Sequence, residues 1–286
     1  MFQRIMHAGA GALLGVALLV PTGPPAATPP EVRADAPLAA PGADGRRFLL
    51  RDTRDDGYAV EVVGDLGTAD RIVVLVPGVA NTLANFDRGL ADVARRAPAV
   101  QARALLAEIV AVQPGARAAV VAWLGYDAPD GLGLDVAREG LARAGAPALT
   151  RFVARLAAER PAAAITVVGH SYGAVVLGLA ARDLDANVTD LVALGAPGMG
   201  VHRADDLDTA RVWAAEAPTD WIQHVPGVRL LDLGHGTRPG RAAFGARPLP
   251  TDGVTGHDGY LAAGSTTLHA VALVALGRAD QAAATP

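Results

Sequence analysis

The most constraining feature of this sequence is the pentapeptide GHSYG at residues 169–173. It is preceded by the apolar run AITVV and followed by AVVLGLAAR. The first run is typical of a buried strand, and the second is typical of a helix. Where a strand turns directly into a helix, side chains beside the turn would collide with both elements, so glycines are needed there. We therefore predict that Ser171 lies on a tight, strained turn at the carboxyl end of a buried strand.

Strand and helix patterns alternate along the rest of the chain. Apolar runs predict strands at 47–52, 58–64, 71–78, 118–123, 164–169, 188–195, 209–216 and 228–234, and helices at 83–112, 134–159, 174–182 and 260–276. This alternation predicts an α/β fold, with a mostly parallel central sheet and helices on both faces. The segment that follows the strand at 188–195 is short, which leaves little or no room for a lid domain.

Composition excludes several kinds of chemistry. All 25 basic residues are arginine, so a pyridoxal Schiff base, a P-loop lysine and a Ser-Lys dyad are excluded. The chain has no cysteine, which excludes disulfides, zinc-thiolate sites, iron–sulfur clusters and cysteine nucleophiles. The formal net charge is -4 and no basic stripe is present, so we predict no nucleic-acid partner.

The amino terminus has the pattern of a secretory signal. A short segment with one arginine precedes the apolar run AGAGALLGVALLV at 8–20, and small residues follow it. This run is shorter than the roughly 20 residues that a transmembrane helix needs. We predict a signal peptide or N-terminal anchor at 1–27, a disordered Pro/Ala-rich linker at 28–45, a folded domain at 46–278 and a disordered tail at 279–286. The predicted location is secreted or cell-envelope, with membrane contact only through an uncleaved N-terminal segment.

A serine on such a turn needs a base and an orienting acid. In this strand–turn–helix context the chain order is serine, acid, histidine. His257, in the glycine-flanked loop TGHDGYL, is favoured as the base over His235, which directly follows a predicted strand. Asp220 is favoured as the acid over Glu216, because it lies further into the loop after the preceding strand.

An acyl-transfer site also needs N–H donors for the developing oxyanion. One is expected to be the N–H of Tyr172, which follows the serine, and the other comes from the loop PGVANT. Val79 is the favoured residue of that loop, and Ala80 is the next choice. Pro77 precedes the glycine of this loop, but the donors are backbone groups, so the side chain at this position matters little.

Five blocks of the sequence resemble an actinobacterial family of largely uncharacterised α/β hydrolases. They are VVLVPGVANT, VVAWLGYDAP, ITVVGHSYGA, LVALGAPGMGV and GHDGYL, and the resemblance extends over about residues 72–277. It implies the α/β-hydrolase fold and the catalytic order argued above, with Ser171, Asp220 and His257 at the matching positions. It does not imply a particular substrate.

The resulting prediction is a serine hydrolase that cleaves an ester-type bond, with a small-molecule or lipid ester as substrate. Ser171 forms an acyl-enzyme, His257 acts as the base and Asp220 holds its tautomer. The reaction needs no metal or organic cofactor, and no obligate protein partner is implied.

Three alternatives remain at this point. The same triad serves an acyltransferase that passes the acyl group to an alcohol or sugar. A non-catalytic α/β-hydrolase fold would instead bind a ligand or a cell-wall partner. A metal-dependent hydrolase would use His224, Asp232 and His235, although their spacing matches no known ligand motif.

Overall fold

The computed structural model describes residue 30 and residues 44–208, 210–229 and 233–282. The predicted signal or anchor at 1–27, nearly all of the predicted linker and residues 283–286 of the predicted tail lie outside these residues. In the described ranges, no helix combines the length and the apolar character needed to cross a membrane.

One mixed sheet forms the centre of the described part of the molecule. Its strands are β1 (Arg47–Asp52), β2 (Tyr58–Gly64), β3 (Arg71–Val76), β4 (Ala118–Leu124), β5 (Ala164–His170), β6 (Val188–Leu194), β7 (Arg211–Ala215) and β8 (Arg247–Pro248). Their order across the sheet is β1-β2-β4-β3-β5-β6-β7-β8. The β1–β2 and β2–β4 pairs are antiparallel, and the pairs from β4 to β8 are parallel. The predicted mostly parallel sheet is confirmed.

Helices cover both faces of this sheet. They are α1 (Pro98–Val112), α2 (Gly140–Glu159), α3 (Tyr172–Ala180), α4 (Thr266–Ala275) and α5 (Ala279–Ala282). Side chains of β3 alternate between two apolar cores, because successive residues of a strand point to opposite faces. Val74 belongs to the core beneath α2 and α3, whereas Val73 belongs to the core beneath α1 and α4.

Three helices begin later than the sequence pattern predicts. The helix predicted at 83–112 begins only at Pro98, which occupies the first helical turn, where a missing N–H costs no hydrogen bond. The helix predicted at 134–159 begins at Gly140. The helix predicted at 260–276 begins at Thr266, because the Ser265 hydroxyl accepts a hydrogen bond from Leu268 N at 3.2 Å and caps the helix there.

The strand predicted at 228–234 is wrong in its described residues. Of these, only Leu233 makes a β-bridge, with Arg138, and residues 230–232 lie outside the described part. Gly234 has a φ of 77°, and a Cβ on it would lie 2.0 Å from the carbonyl oxygen of Val228. The backbone therefore folds back on itself here, and the short strand β8 takes the edge position beside β7.

The carboxyl-terminal boundary of the domain also differs from the prediction. The first four residues of the predicted disordered tail at 279–286 form helix α5, in which Ala279 and Ala282 are buried. These small side chains pack in the same apolar core as α4. The ordered domain therefore continues beyond residue 278.

Candidate active site

The turn between β5 and α3 has the strained geometry predicted from the pentapeptide. Ser171 has φ 53° and ψ -125°, which a residue with a side chain rarely adopts. A Cβ on Gly169 would lie 2.6 Å from Ala174 Cα, and one on Gly173 would lie 2.3 Å from the carbonyl oxygen of Val76. Glycine is therefore required on both sides of the serine, and the turn holds the Ser171 side chain at the carboxyl end of β5.

The structure brings Ser171, His257 and Asp220 together in one hydrogen-bonded series. His257 Nε2 lies 2.8 Å from Ser171 Oγ. On the other side of the ring, His257 Nδ1 lies 2.9 Å and 3.0 Å from the two carboxylate oxygens of Asp220. Because a carboxylate only accepts hydrogen bonds, the ring proton of His257 lies on Nδ1, which faces Asp220. The lone pair of Nε2 therefore faces the serine hydroxyl. This arrangement suits proton transfer from serine to histidine.

Asp220 is fully buried but well supplied with hydrogen-bond donors. Its Oδ1 accepts from the backbone N–H of Ile222 at 2.9 Å, and its Oδ2 accepts from the hydroxyl of Tyr260 at 2.6 Å. Burial alone would raise the pKa of the Asp220 carboxyl, but the hydrogen bonds from His257 and Tyr260 outweigh it and hold this pKa below its usual value. Asp220 is therefore ionised at neutral pH and orients the imidazole.

Tyr260 is buried beside Asp220, and its hydroxyl is fixed from two sides. The hydroxyl accepts a hydrogen bond from the backbone N–H of Ala217 at 3.0 Å while it donates to Asp220. Burial and the neighbouring carboxylate raise the pKa of the Tyr260 phenol well above its usual value. Tyr260 therefore stays protonated and acts as a permanent donor to the acid.

His170, the residue before the serine, holds the loop that carries His257. Its Nε2 lies 2.8 Å from the backbone carbonyl oxygen of His257, so Nε2 carries the proton and donates. The two imidazole rings are 4.8 Å apart between centroids. Burial, together with the charge on His257, lowers the pKa of His170 to about 4. At neutral pH His170 is therefore an uncharged donor that ties the β5 turn to the His257 loop.

The two rival candidates, Glu216 and His235, form hydrogen bonds with groups outside the series of Ser171. The Glu216 carboxylate accepts a hydrogen bond from Arg238 Nε at 3.1 Å. His235 donates from Nε2 to the carbonyl oxygen of Val136 at 2.7 Å. Neither residue joins the series of Ser171, which leaves Asp220 and His257 as the acid and base candidates.

Two of the three residues of the metal alternative, His224 and His235, lie in the described part of the chain, and each bonds to a different backbone carbonyl group. His224 Nδ1 lies 3.2 Å from the carbonyl oxygen of Trp221, whereas His235 faces a different loop. Asp232 lies outside the described residues. Within those residues no three His, Asp or Glu side chains are grouped as metal ligands would be.

The loop after β3 lies directly against the serine. A Cβ on Gly78 would lie 2.7 Å from Ser171 Cβ and 3.3 Å from its hydroxyl oxygen, so only glycine permits this approach. The Asn81 side-chain amide donates to the carbonyl oxygens of Gly78 and Val79, both at 3.1 Å. These bonds fix the peptide orientations of the turn.

The hydrogen bonds of this loop distinguish between Val79, the favoured oxyanion donor, and Ala80, the next choice. The N–H of Ala80 donates to the carbonyl oxygen of Pro129 at 2.7 Å, so this N–H is already engaged. Val79 lines the cavity beside Ser171 and Asn81. Val79 therefore stays the better candidate in this loop, together with Tyr172 at the first position of α3.

Two cavities meet at Ser171, and Leu132 and Trp221 line both of them. The first has a volume of about 340 Å³ and contains the polar groups around the site, among them Asn81, Arg96, Gln101, His170, His257 and Asp258. The second has a volume of about 360 Å³ and a mainly apolar lining, with Val136, Pro197, Ile222, Val225, Pro226 and Val228. A substrate bound across Ser171 thus meets a polar surface on one side and an apolar one on the other.

Sequence reasoning missed three residues of the site: His170, Trp221 and Tyr260. The Trp221 ring lies 4.7 Å from the His257 ring and borders both cavities. His170 and Tyr260 stand in the motifs that carry Ser171 and His257, and Trp221 follows Asp220 directly. The signal in the sequence is that each of the three stands close to Ser171, Asp220 or His257 along the chain. This closeness does not reveal which groups their side chains contact.

Comparisons with known proteins agree with this architecture. The model of a protein family described as alpha/beta hydrolase matches residues 52–230. An uncharacterised protein of Mycobacterium tuberculosis is 34% identical over 218 residues, which cover 68% of this chain and 80% of that protein. A second uncharacterised protein of the same species is 31% identical over 259 residues, covering 78% of this chain and 38% of the other.

Solved structures with a similar chain path were also found. One is XC6422 from Xanthomonas campestris, described as an a/b serine hydrolase without lid, with a TM-score of 0.44, 15% identity and coverage of 84% of this chain and 97% of that one. Another is Trichoderma reesei cutinase, with a TM-score of 0.37, 16% identity and coverage of 58% of this chain and 68% of the other. The family match extends over more than half of the chain, and the sheet order and helix placement fit it. The chain therefore belongs to the alpha/beta hydrolase family and is similar to uncharacterised actinobacterial members of it.

Proposed function

We propose that this protein is a serine hydrolase of carboxylic esters. The observation that carries the proposal is the hydrogen-bonded series from Ser171 Oγ through His257 to the buried Asp220 carboxylate. Its position where two cavities meet adds support, because an ester has two substituents that must be held on opposite sides of the carbonyl carbon. The strained Ser171 turn keeps the hydroxyl at that junction.

The proposed reaction proceeds through an acyl-enzyme. Ser171 Oγ attacks the ester carbonyl carbon while its proton passes to His257 Nε2, and the oxyanion is held by the N–H groups of Val79 and Tyr172. The tetrahedral intermediate collapses as His257 returns the proton to the departing alcohol. Water then attacks the acyl-enzyme with His257 as base, which releases the carboxylic acid and restores Ser171. Asp220 stays ionised throughout and stabilises the imidazolium.

The two cavities suggest how the ester is oriented. His257 must reach the oxygen of the departing alcohol, and His257 lines the polar cavity but not the apolar one. We therefore place the alcohol part in the polar cavity and the acyl chain in the apolar cavity, where burial of each methylene contributes about 0.8 kcal/mol. This orientation favours esters of medium-chain acids over acetate esters.

We also propose that the protein acts outside the cytoplasm. The support is the sequence pattern of residues 1–20, a short basic start followed by an apolar run. Cell fractionation of an actinobacterial host that expresses the full chain tests this. Recovery in the culture medium or cell envelope is expected, and recovery of the protein solely in the cytosol would contradict it.

Hydrolysis of p-nitrophenyl esters with acyl chains of two to twelve carbons tests the function. We expect turnover that rises from acetate to medium chains, and a loss of at least about 10⁴-fold in kcat for Ser171→Ala. Ser265→Ala is the control for loss of a serine hydroxyl: the other serine of the chain caps α4, donates to the backbone carbonyl oxygen of Tyr260 at 2.8 Å and lies outside both cavities, so this variant should keep most of the activity that Ser171→Ala loses. Adding glycerol or a sugar as competing acceptor detects an acyltransferase. A folded protein that turns over none of these esters would contradict the proposal.

A further inference from the structure

The large apolar side chains that are exposed in the described residues are concentrated around the two cavities. Seven such side chains are at least two-fifths exposed. Six of them lie on the loops that border the cavities, and we call these six the mouth rim: Leu90, Leu132, Leu134, Trp221, Val228 and Leu233. The seventh, Val110, lies on the outer side of α1. An exposed apolar patch grouped in this way marks an interaction surface.

Contacts of these residues connect the mouth rim to the site. Leu132 and Trp221 line both cavities, Leu90 lines the polar one and Val228 lines the apolar one. Leu233 forms a β-bridge with Arg138, four residues after Leu134. Neither Leu134 nor Leu233 lines a cavity. These two are 70% and 50% exposed, respectively, and neither belongs to the two apolar cores of the described residues.

The charges near the mouth rim determine which surface it can approach. Asp56, Asp127 and Asp130 lie close together, and burial, together with the neighbouring carboxylates, raises the pKa of Asp127. Arg96 pairs with Asp258 at 2.6 Å and Arg229 pairs with the buried Glu139, but Arg138, which bridges to Leu233, forms no ion pair within the described residues. Charge of both signs therefore borders the mouth, without the excess of basic residues that would favour an anionic surface, and an uncharged or zwitterionic surface suits it.

We propose that the mouth rim docks the protein on the surface of an uncharged or zwitterionic lipid phase, with the two cavities facing that phase. The apolar side chains enter the lipid, and an ester molecule reaches Ser171 without crossing water. This role for the cavities rests on the proposed function, but the docking itself does not need catalysis. The mouth rim is distinct in sequence from the signal peptide or anchor predicted at 1–27.

Tryptophan emission reports on this surface selectively. Of the three tryptophans, Trp123 and Trp213 are buried and Trp221 is 41% exposed. The full chain carrying Ser171→Ala is titrated with phosphatidylcholine vesicles at constant pH, with and without brominated acyl chains. We expect emission at shorter wavelength and quenching by the brominated lipid, both of which disappear in Trp221→Phe. Because residues 1–29 contain no tryptophan, attachment through the N-terminal segment alone does not produce this signal.

The double variant Leu134→Ser/Leu233→Ser tests the rim, and Val110→Ser is its matched control. We expect the double variant to weaken the lipid-dependent Trp221 signal at least about tenfold. We expect the same variant to retain wild-type turnover of a water-soluble ester when Ser171 is present, because neither residue lines a cavity. Val110→Ser should leave both measurements unchanged, and melting curves should show that all variants fold.

Four results would overturn the inference. The first is Trp221 emission that does not change when phosphatidylcholine vesicles are added, and the second is an emission change that needs anionic lipid and disappears in high salt. The third is an equal loss of the signal in Val110→Ser and in the double variant. The fourth is an emission change that rises with protein concentration in the absence of lipid. The last result would assign the mouth rim to self-association. Because the binding is measured with Ser171→Ala, failure of the proposed ester hydrolysis leaves this test intact.

Discussion

At the scale of single residues, the candidate triad is held by two side chains that would not take part in the reaction. Tyr260 fixes the Asp220 carboxylate, and His170 fixes the backbone of His257. The three triad residues are 37 to 86 positions apart in sequence. Their alignment therefore depends on such cross-links, because a small displacement of a general base sharply lowers its efficiency.

Removal of the Tyr260 hydroxyl is expected to lower activity without removing the fold. Tyr260→Phe keeps the buried ring but deprives Asp220 of one donor and leaves the Ala217 N–H without its acceptor. We expect kcat to fall about tenfold. Ester-hydrolysis kinetics and chemical denaturation of the variant measure these effects. An unchanged kcat with lower stability would show that Tyr260 is only a packing residue.

His170 is expected to make stability depend on pH. Its pKa is about 4 in the folded chain and about 6.5 in an unfolded chain. Between these values the unfolded state binds more protons, so the free energy of unfolding decreases as the pH falls from 6.5 to 4. His170→Gln removes this contribution, on the order of 2 kcal/mol. Denaturant titrations at pH 7 and pH 4.5 should show a smaller decrease for the variant, and equal decreases would contradict the assignment.

At the scale of elements, close approaches of backbone explain glycines that helix propensity would disfavour. Gly178 lies inside α3, and a Cβ there would lie 2.0 Å from the carbonyl oxygen of Met199. The helix thus packs directly on the loop that follows β6. A Cβ on Gly140, at the start of α2, would instead point into open space, with no neighbouring heavy atom within 4 Å.

Alanine at these two glycines should have opposite effects on stability. Gly178→Ala is expected to lower the free energy of unfolding by about 1–3 kcal/mol, because a backbone oxygen cannot move aside. Gly140→Ala is expected to raise it by up to about 0.5 kcal/mol, because alanine is the better helix former and meets nothing. Chemical denaturation of both variants measures this. A Gly178→Ala protein as stable as wild type would contradict the packing of α3.

The buried strands could be predicted from sequence, whereas some edge and loop elements could not. β3, β5 and β6 are covered on both faces, so they appear as continuous apolar runs. β8 has two residues, one of them proline, and leaves no such run. The apolar stretch at 228–234 has the pattern of a strand, although two of its described side chains belong to the mouth rim. Apolar character alone does not distinguish burial in the core from exposure around a site.

The same limit applies to the candidate site. Ser171 could be identified because its glycines and its strand–helix context are local features of the sequence. Asp220 and His257 follow from chain order. The roles of Tyr260, His170 and Trp221 depend on contacts between loops after different strands, which no local pattern encodes.

At the scale of the whole molecule, the site lies where the strand order of the sheet reverses. From β3 the chain proceeds to β4 on one side and then returns to β5 on the other. The loops that follow β3 and β5 therefore diverge at the carboxyl edge and open a crevice between them. The oxyanion candidate Val79 comes from the first loop and Ser171 from the second. The topology of the sheet, rather than any single loop, positions the site.

Covalent labelling of Ser171 tests the central claim most directly. Purified protein is treated with a fluorophosphonate probe, and the modified peptide is identified by mass spectrometry. Wild type should be labelled on Ser171, Ser171→Ala should not be labelled, and His257→Ala should react at least about 10³-fold more slowly because the base is missing. Folded wild-type protein that is not labelled, or that is labelled at another residue, would contradict the assignment of Ser171 as the nucleophile.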